Sequence, residues 1–137
     1  MGPRLVSWFS KKQSSIALST TEAEYVAAAS CCTQLLWMMQ TLQDIQIKCS
    51  PPISIMCDNT SAIIISNNPI MHSNTKHIPI KYHFLREQML EQKVKLEYVS
   101  SKEQVVDIFT KPLPREAFKY LRQKLGVVSA MQRIRYD

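Results

Sequence analysis

The chain has 137 residues, which is enough for one packed domain and too few for two. Hydrophobic residues make up 45% and charged residues 20%, so the composition excludes an intrinsically disordered chain. The formal net charge of +6 favours a polyanionic partner such as nucleic acid. The longest apolar run starts at Ala62 and is far too short to span a bilayer, so no membrane partner is expected.

The cysteines indicate reduced thiols rather than a metal site. There are four of them and no C-x-x-C pair, which argues against zinc: Cys31, Cys32, Cys49 and Cys57. No signal peptide opens the sequence, so the expected location is intracellular, in the cytoplasm or the nucleus.

The first half of the chain predicts a strand, a long helix and a second strand. Residues 5–10 alternate along the chain as a strand does. Ser19 or Thr20 then suits a helix N-cap, and Ser19 with Glu22 has the spacing of a capping box. The helix carries one apolar face and should end within residues 44–47, and residues 53–58 have the length and composition of a strand.

The second half predicts four helices and one more strand. Asn59 suits the cap of a short helix, and Pro79 lies near the start of the next one. Residues 94–98 alternate as a strand, a capped turn of helix surrounds Asp107, and a terminal helix ends at Gly126. Strands alternating with helices predict an α/β sheet. We expect one domain over residues 1–126 and a loose basic tail over residues 127–137.

Three acids stand apart from the other charges by their position. Glu24 lies in the first turns of the long helix, and Asp58 follows an apolar strand, where α/β sheets commonly place ligands. Asp107 lies among apolar neighbours, a costly setting for an unpaired carboxylate. Grouped carboxylates need a cation between them, and their oxygens suit Mg²⁺ or Mn²⁺. Paired ions of this kind support hydrolysis of a phosphodiester.

Structural interpretations of the same residues stay open. Glu22 is favoured as a capping residue over a ligand. Asp58 is equally compatible with a turn before a helix, and Asp107 with a salt bridge to Lys102 or Lys111. Several basic residues either follow a phosphate backbone or form a solvated surface: Lys76, Lys81, Arg86, Lys93 and Lys95. The three histidines are interpreted as phosphate contacts or surface residues: His72, His77 and His83.

Four stretches carry a resemblance to a known family: "SWFSKKQSSIALSTTEAEYVAAAS", "CDNTSAI", "HSNTKHIPIKYHFLRE" and "QVVDIFTKPLPREAF". They resemble the ribonuclease H domain of Ty1/copia-type retrotransposon Pol polyproteins, in the family's order and over residues 6–127. The resemblance implies a ribonuclease H fold, a mixed five-stranded sheet with flanking helices. It also implies a nuclease that cuts the RNA strand of an RNA–DNA hybrid with two Mg²⁺ (or Mn²⁺) ions held by four carboxylates.

Matching the motifs places three of those carboxylates on this chain. The helix glutamate falls on Glu24, the strand-end aspartate on Asp58 and the last aspartate on Asp107, as catalytic residues and metal ligands. The residues expected to bind nucleic acid are Asn59, Lys76, His77, Lys81 and Arg86. The family's first aspartate, on a strand before "VSWFSKKQ", has no counterpart because no acid precedes Glu22. The loop at residues 100–102 also lacks the histidine of many cellular ribonucleases H.

These departures lead to two hypotheses about the chain. The sheet is expected to lack its first two strands, and residues 5–10 are expected to pair directly with residues 53–57 in a three-stranded remnant. The leading function is a ribonuclease H fragment with impaired activity and altered metal binding, partnered by nucleic acid and by the reverse transcriptase portion of the polyprotein. The alternatives are a non-catalytic nucleic-acid-binding module and a non-functional transposon relic. Whether the chain is an enzyme stays open at this point.

Overall fold

The computed structural model describes residues 5, 7–14, 16–68 and 80–127, without the side chains of residues 80–82. The chain divides into two compact units. We call Gln13–Val99 the sheet unit, and Met1–Lys12 together with Ser100–Asp137 the terminal unit. Each is described by itself.

The sheet unit contains two strands and three helices. In chain order they are α1 (Thr20–Asp44), β1 (Ile53–Cys57), α2 (Thr60–Asn67), α3 (Ile80–Leu90) and β2 (Val94–Tyr98). The strands pair in parallel, with Ile53 opposite Val94 and Cys57 opposite Tyr98. Parallel strands need a long crossover, which here includes α2 and α3. The predicted α/β class is therefore confirmed.

The long helix begins where its sequence predicts. The Ser19 hydroxyl accepts a hydrogen bond from the Glu22 N–H at 3.1 Å, and the Glu22 carboxylate accepts one from the Leu18 N–H at 2.7 Å. These two hydrogen bonds resemble a capping box. In a capping box the Glu22 carboxylate would accept from the N–H of Ser19, whereas here it accepts from the N–H of Leu18, one residue earlier. The predicted cap at Ser19 is confirmed, and α1 ends at Asp44, within the predicted window.

The core of the sheet unit lies between α1 and the two strands. Its most deeply buried side chains come from four positions: Tyr25, Cys32, Leu85 and Val94. On β1 the buried residues alternate, since Ile55 and Cys57 point inward and Met56 is exposed. This alternation places Asp58, the next residue after the strand, at its carboxyl end.

The terminal unit contains two helices, α4 (Asp107–Thr110) and α5 (Arg115–Lys124). Leu121 is its buried anchor on α5. Gly126 adopts a positive φ of 69°, and the Val127 N–H then donates to the Arg122 carbonyl, which closes the helix end as predicted. The rings of Trp8 and Phe109 stack with centroids 5.0 Å apart and nearly parallel planes.

The predicted strand at residues 5–10 is wrong for the residues described there, as is the three-stranded remnant. Neither residue 5 nor residues 7–10 are in a strand, and the sheet in the described part of the chain has two strands. The Leu5 N–H donates instead to the Leu125 carbonyl at 2.9 Å. The reason lies in the pattern: Leu5, Ser7 and Phe9 share one predicted face, which mixes a serine with apolar residues and is not buried as a strand face would be.

The other predicted elements are confirmed in type and order, with α2 capped by Asn59 as expected. The predicted tail lies mostly outside the described residues, so its boundary stays a prediction. None of the helices in the described ranges has both the length and the apolar character needed to cross a membrane.

Candidate carboxylate site

Two of the three predicted acidic residues belong to the sheet unit. Glu24 lies in the second turn of α1 with its side chain exposed, and Asp58 directly follows β1 and is half-buried. The next residue, Asn59, caps α2, because its side-chain oxygen accepts a hydrogen bond from the Ala62 N–H at 2.9 Å. This cap fixes the turn that carries Asp58 away from the strand.

The thiol of Cys57 is a buried group on which both carboxylates act electrostatically. Burial raises the pKa of Cys57, a backbone hydrogen bond at Asn59 lowers it, and the negative charges of Glu24 and Asp58 raise it further. Both carboxylates therefore lie within electrostatic reach of one buried sulfur atom. Helix α1 and strand β1 thus place the two acids that the motifs select within electrostatic reach of the same residue.

Glu22 has a different role from Glu24, although the two are only two residues apart on α1. Its backbone N–H and its carboxylate both take part in the cap of α1, with Ser19 and Leu18. It is not among the charges that act on Cys57. The structure thus separates a capping acid, Glu22, from an acid that acts on Cys57, Glu24, in agreement with the sequence interpretation of Glu22.

Asp107 is in the terminal unit, where it begins α4 and is buried. Its carboxylate accepts a hydrogen bond from the Lys111 ammonium at 3.0 Å, one helical turn further along the chain. Of the two alternatives that the sequence left open for its partner, Lys102 and Lys111, the structure selects Lys111.

The donor chemistry of these acids fits a hard divalent cation, since carboxylate oxygens are the ligands that Mg²⁺ and Mn²⁺ prefer. The described ranges hold no group of three or more His, Cys, Asp or Glu residues that could bind a metal. Glu24 and Asp58 belong to the sheet unit, where both act on Cys57, and Asp107 belongs to the terminal unit. The assignment of all three to one metal site stays a prediction.

The residues predicted to bind nucleic acid have varied surroundings. Asn59 is used by the α2 cap, and Arg86 is half-buried and acts electrostatically on the Tyr25 hydroxyl, whose pKa burial raises to about 12 and Arg86 lowers. Lys76 and His77 lie outside the described residues, as does the side chain of Lys81. Arg86 therefore acts electrostatically on a buried residue of the fold, Tyr25.

No role was predicted from the sequence for Cys57, the residue on which both carboxylates act electrostatically. Its position two residues after the buried Ile55 was the available signal, because alternate residues of a strand share a face. The role of Lys111 was foreseen only as one of two alternatives, since i,i+4 spacing permits an ion pair without requiring it.

Comparison with known proteins relates the chain to Ty1/copia-type retrotransposon Pol polyproteins, as the motifs predicted. It is 40% identical over 128 residues to the retrovirus-related Pol polyprotein from transposon RE2 of Arabidopsis thaliana. That match covers 93% of the chain and 9% of the polyprotein. The identity is 39% over 127 residues to the corresponding polyprotein from transposon RE1 of the same plant, with the same coverage.

A yeast protein shows the same relationship at greater distance. The chain is 31% identical over 125 residues to the transposon Ty1-DR5 Gag-Pol polyprotein of Saccharomyces cerevisiae, a match that covers 88% of the chain and 7% of that protein. The chain thus corresponds to less than a tenth of the length of the relatives it matches. No protein-family profile matches the chain. No solved structure matches it either.

Proposed function

We propose that the chain is a ribonuclease H-like segment of a retrotransposon Pol polyprotein, whose carboxylates serve hydrolysis of the RNA strand in an RNA–DNA hybrid. One structural observation carries the proposal. Glu24 from a helix and Asp58 from the carboxyl end of a parallel strand both act electrostatically on the buried thiol of Cys57. The carboxyl ends of parallel strands are the usual place for a ligand in α/β sheets.

The similarity to Pol polyproteins supports the same proposal, because it covers about nine-tenths of the chain and so includes the stretches around all three acids. Glu24 and Asp58 are the residues that would hold a divalent cation, and Asp107 is proposed as a third ligand from the motif match. A bound ion of this kind would supply charge stabilisation to the phosphate and lower the pKa of a water molecule.

We expect this chain of 137 residues, tested alone, to cleave RNA–DNA hybrids weakly or not at all. The resemblance implies four carboxylates, and this sequence has matches for three of them. Residues of a catalytic group act as a unit, so that loss of one commonly lowers the rate by several orders of magnitude. Supplying the segment that precedes the matched region in the Arabidopsis relative, as an N-terminal fusion, is then expected to restore cleavage.

The experiment compares the chain and this fusion on an RNA–DNA hybrid in Mg²⁺ and in Mn²⁺. In the fusion, Asp58→Asn and Glu24→Gln should abolish cleavage, whereas Glu22→Gln, two residues before Glu24, should leave most of it. A folded fusion without cleavage would refute the nuclease proposal. Cleavage by the chain alone that Asp58→Asn abolishes would refute only the impairment.

A second candidate is nucleic-acid binding without cleavage by this segment. The net charge of +6 favours it, because it gives the chain the electrostatic character of a polyanion-binding protein. Hybrid binding that weakens with salt, shown by a fusion that never cleaves, would select this candidate over the first.

A further inference from the structure

The positive charge of this protein is concentrated in the terminal unit. Its described residues include eight Lys or Arg and three Asp or Glu, whereas those of the sheet unit include five and seven. The net charges of these residues are therefore +5 and −2. The basic residues that the sequence pattern pointed to, between Lys76 and Lys95, belong to the less basic unit.

Every acidic residue described in the terminal unit is part of an ion pair. Lys111 pairs with Asp107, Lys119 with Glu116 and Lys124 with Glu103. The remaining cations have no carboxylate partner within the described ranges: Lys11, Lys12, Lys102, Arg115 and Arg122. The unit therefore presents uncompensated positive charge.

Helix α5 arranges three cations along one face, two without a carboxylate partner in the described ranges (Arg115 and Arg122) and one paired with Glu116 (Lys119). Arg115, Lys119 and Arg122 are spaced by four and three residues, so their side chains follow one another along the same side of the helix. Arg115 and Lys119 are exposed, and the half-buried Arg122 has a buried Nε that lacks a hydrogen-bond acceptor in the described part of the chain.

An exposed aromatic ring lies beside this basic row. Phe118 is three residues from Arg115 and four from Arg122, and 43% of it is exposed. Cations that follow a phosphate backbone together with an exposed aromatic ring are the combination used to bind unpaired strands, because each base offers a face for stacking. The bases of a duplex are already stacked, so a duplex would gain little from Phe118.

We propose that the face of α5 formed by Arg115, Phe118, Lys119 and Arg122 binds single-stranded nucleic acid. The cations contact phosphates, and the Phe118 ring stacks on a base. The nucleic-acid class of the partner rests on the proposed function. The face itself belongs to a different unit from Glu24 and Asp58, and it adds a single-strand contact to a segment proposed to act on hybrids.

The test measures binding in EDTA, so that the carboxylates and divalent ions play no part. Fluorescence anisotropy follows a single strand of about 16 nucleotides, a typical site size, and a hybrid of equal length, over a range of salt. Arg115→Gln/Lys119→Gln should weaken single-strand binding and reduce the slope of log K against log salt by about 1.4, that is about 0.7 for each lost phosphate contact. Both side chains are exposed, and circular dichroism confirms that the variant folds.

Matched variants separate this face from general charge effects. Lys93→Gln/Lys95→Gln removes two exposed cations from the sheet unit and should change the slope by less than half as much. Glu116→Gln releases Lys119 from its ion pair and should strengthen binding. Phe118→Ala should weaken single-strand binding about fivefold or more and leave hybrid binding nearly unchanged, whereas Trp37→Ala, an exposed aromatic of the sheet unit, should affect neither.

The inference is overturned if the Arg115/Lys119 variant binds like the parent chain, or if Phe118→Ala weakens both ligands equally. The outcome is independent of hybrid cleavage. Loss of cleavage in the complemented protein with this binding pattern intact would refute the proposed function alone. The reverse result would refute the α5 face alone.

Discussion

The ammonium group of Lys111 lies 3.0 Å from the carboxylate of Asp107, and the two differ greatly in burial: 9% of the Asp107 side chain is exposed, against 54% for Lys111. A buried acid is thus neutralised by a cation that reaches it from the solvent. The same helical turn is also closed by the Lys111 N–H, which donates to the Asp107 carbonyl. Asp107 therefore has a structural role whether or not it binds a metal.

Replacing Lys111 by Gln should destabilise the protein by roughly 1–2 kcal/mol, because Asp107 would keep its burial and lose its cation, while the exposure of Lys111 limits the effect. Chemical denaturation measures the change. Lys119→Gln is the matched control, because its ion pair with Glu116 is largely exposed and should contribute less than about 1 kcal/mol. Equal effects of the two substitutions would contradict the structural role of Lys111.

The cap of α1 offers a second prediction. Ser19→Ala removes the acceptor of the Glu22 N–H and should lower the free energy of unfolding by about 1 kcal/mol. Ser19→Asp keeps an acceptor at the same place and should lose little. Ser30→Ala, an exposed serine inside the same helix, is the control and should be neutral or slightly stabilising, because alanine favours helix interiors. A loss for Ser30→Ala as large as that for Ser19→Ala would show that the hydrogen bond is unimportant.

The electrostatic effect of Glu24 on Cys57 can be measured as a change in the pKa of the thiol. Glu24→Gln removes a negative charge that acts on the thiol and should lower the pKa of Cys57, as followed by the ¹³Cβ chemical shift across a pH titration. Glu22→Gln should leave that pKa nearly unchanged, since the Glu22 carboxylate reaches back to the Leu18 N–H. A larger shift for Glu22→Gln would reverse the assignment of the two acids.

A fourth prediction concerns stability in alkaline solution. Burial, with a smaller contribution from Cys31, raises the pKa of Cys32 from 9.0 to about 11. Between these values the unfolded chain loses the Cys32 proton and the folded chain keeps it, so the unfolded state binds fewer protons and stability falls as pH rises. The contribution is complete below pH 9 and is lost by about pH 11.

Urea denaturation at pH 8 and pH 11 should show this loss as roughly 1–3 kcal/mol in the parent chain. Cys32→Ala, although less stable at both values because a buried side chain is truncated, should show a smaller difference between them. An identical pH dependence in the two proteins would exclude Cys32 as the group responsible.

The secondary structure of this protein follows largely from local patterns. Ser19 and Asn59 mark helix starts because each can satisfy a backbone N–H within its own turn, whatever the rest of the chain does. Residues 5–10 show the limit of such patterns. Their alternation was real, but a strand needs a partner for its backbone groups, and no local signal reveals whether one is present.

The candidate site divides in the same way. The sequence by itself determined which acids are predicted as site residues. Ser19 accounts for Glu22 as a capping residue and so favours Glu24, and the motifs select Asp58 and Asp107. Only the tertiary structure decided that Glu24 and Asp58 both act on Cys57, that Lys111 rather than Lys102 pairs with Asp107, and that the unpaired positive charge lies on the terminal unit. Capping depends on atoms a few residues apart. Electrostatic partnership depends on distances through space, which the packing of helices against strands sets.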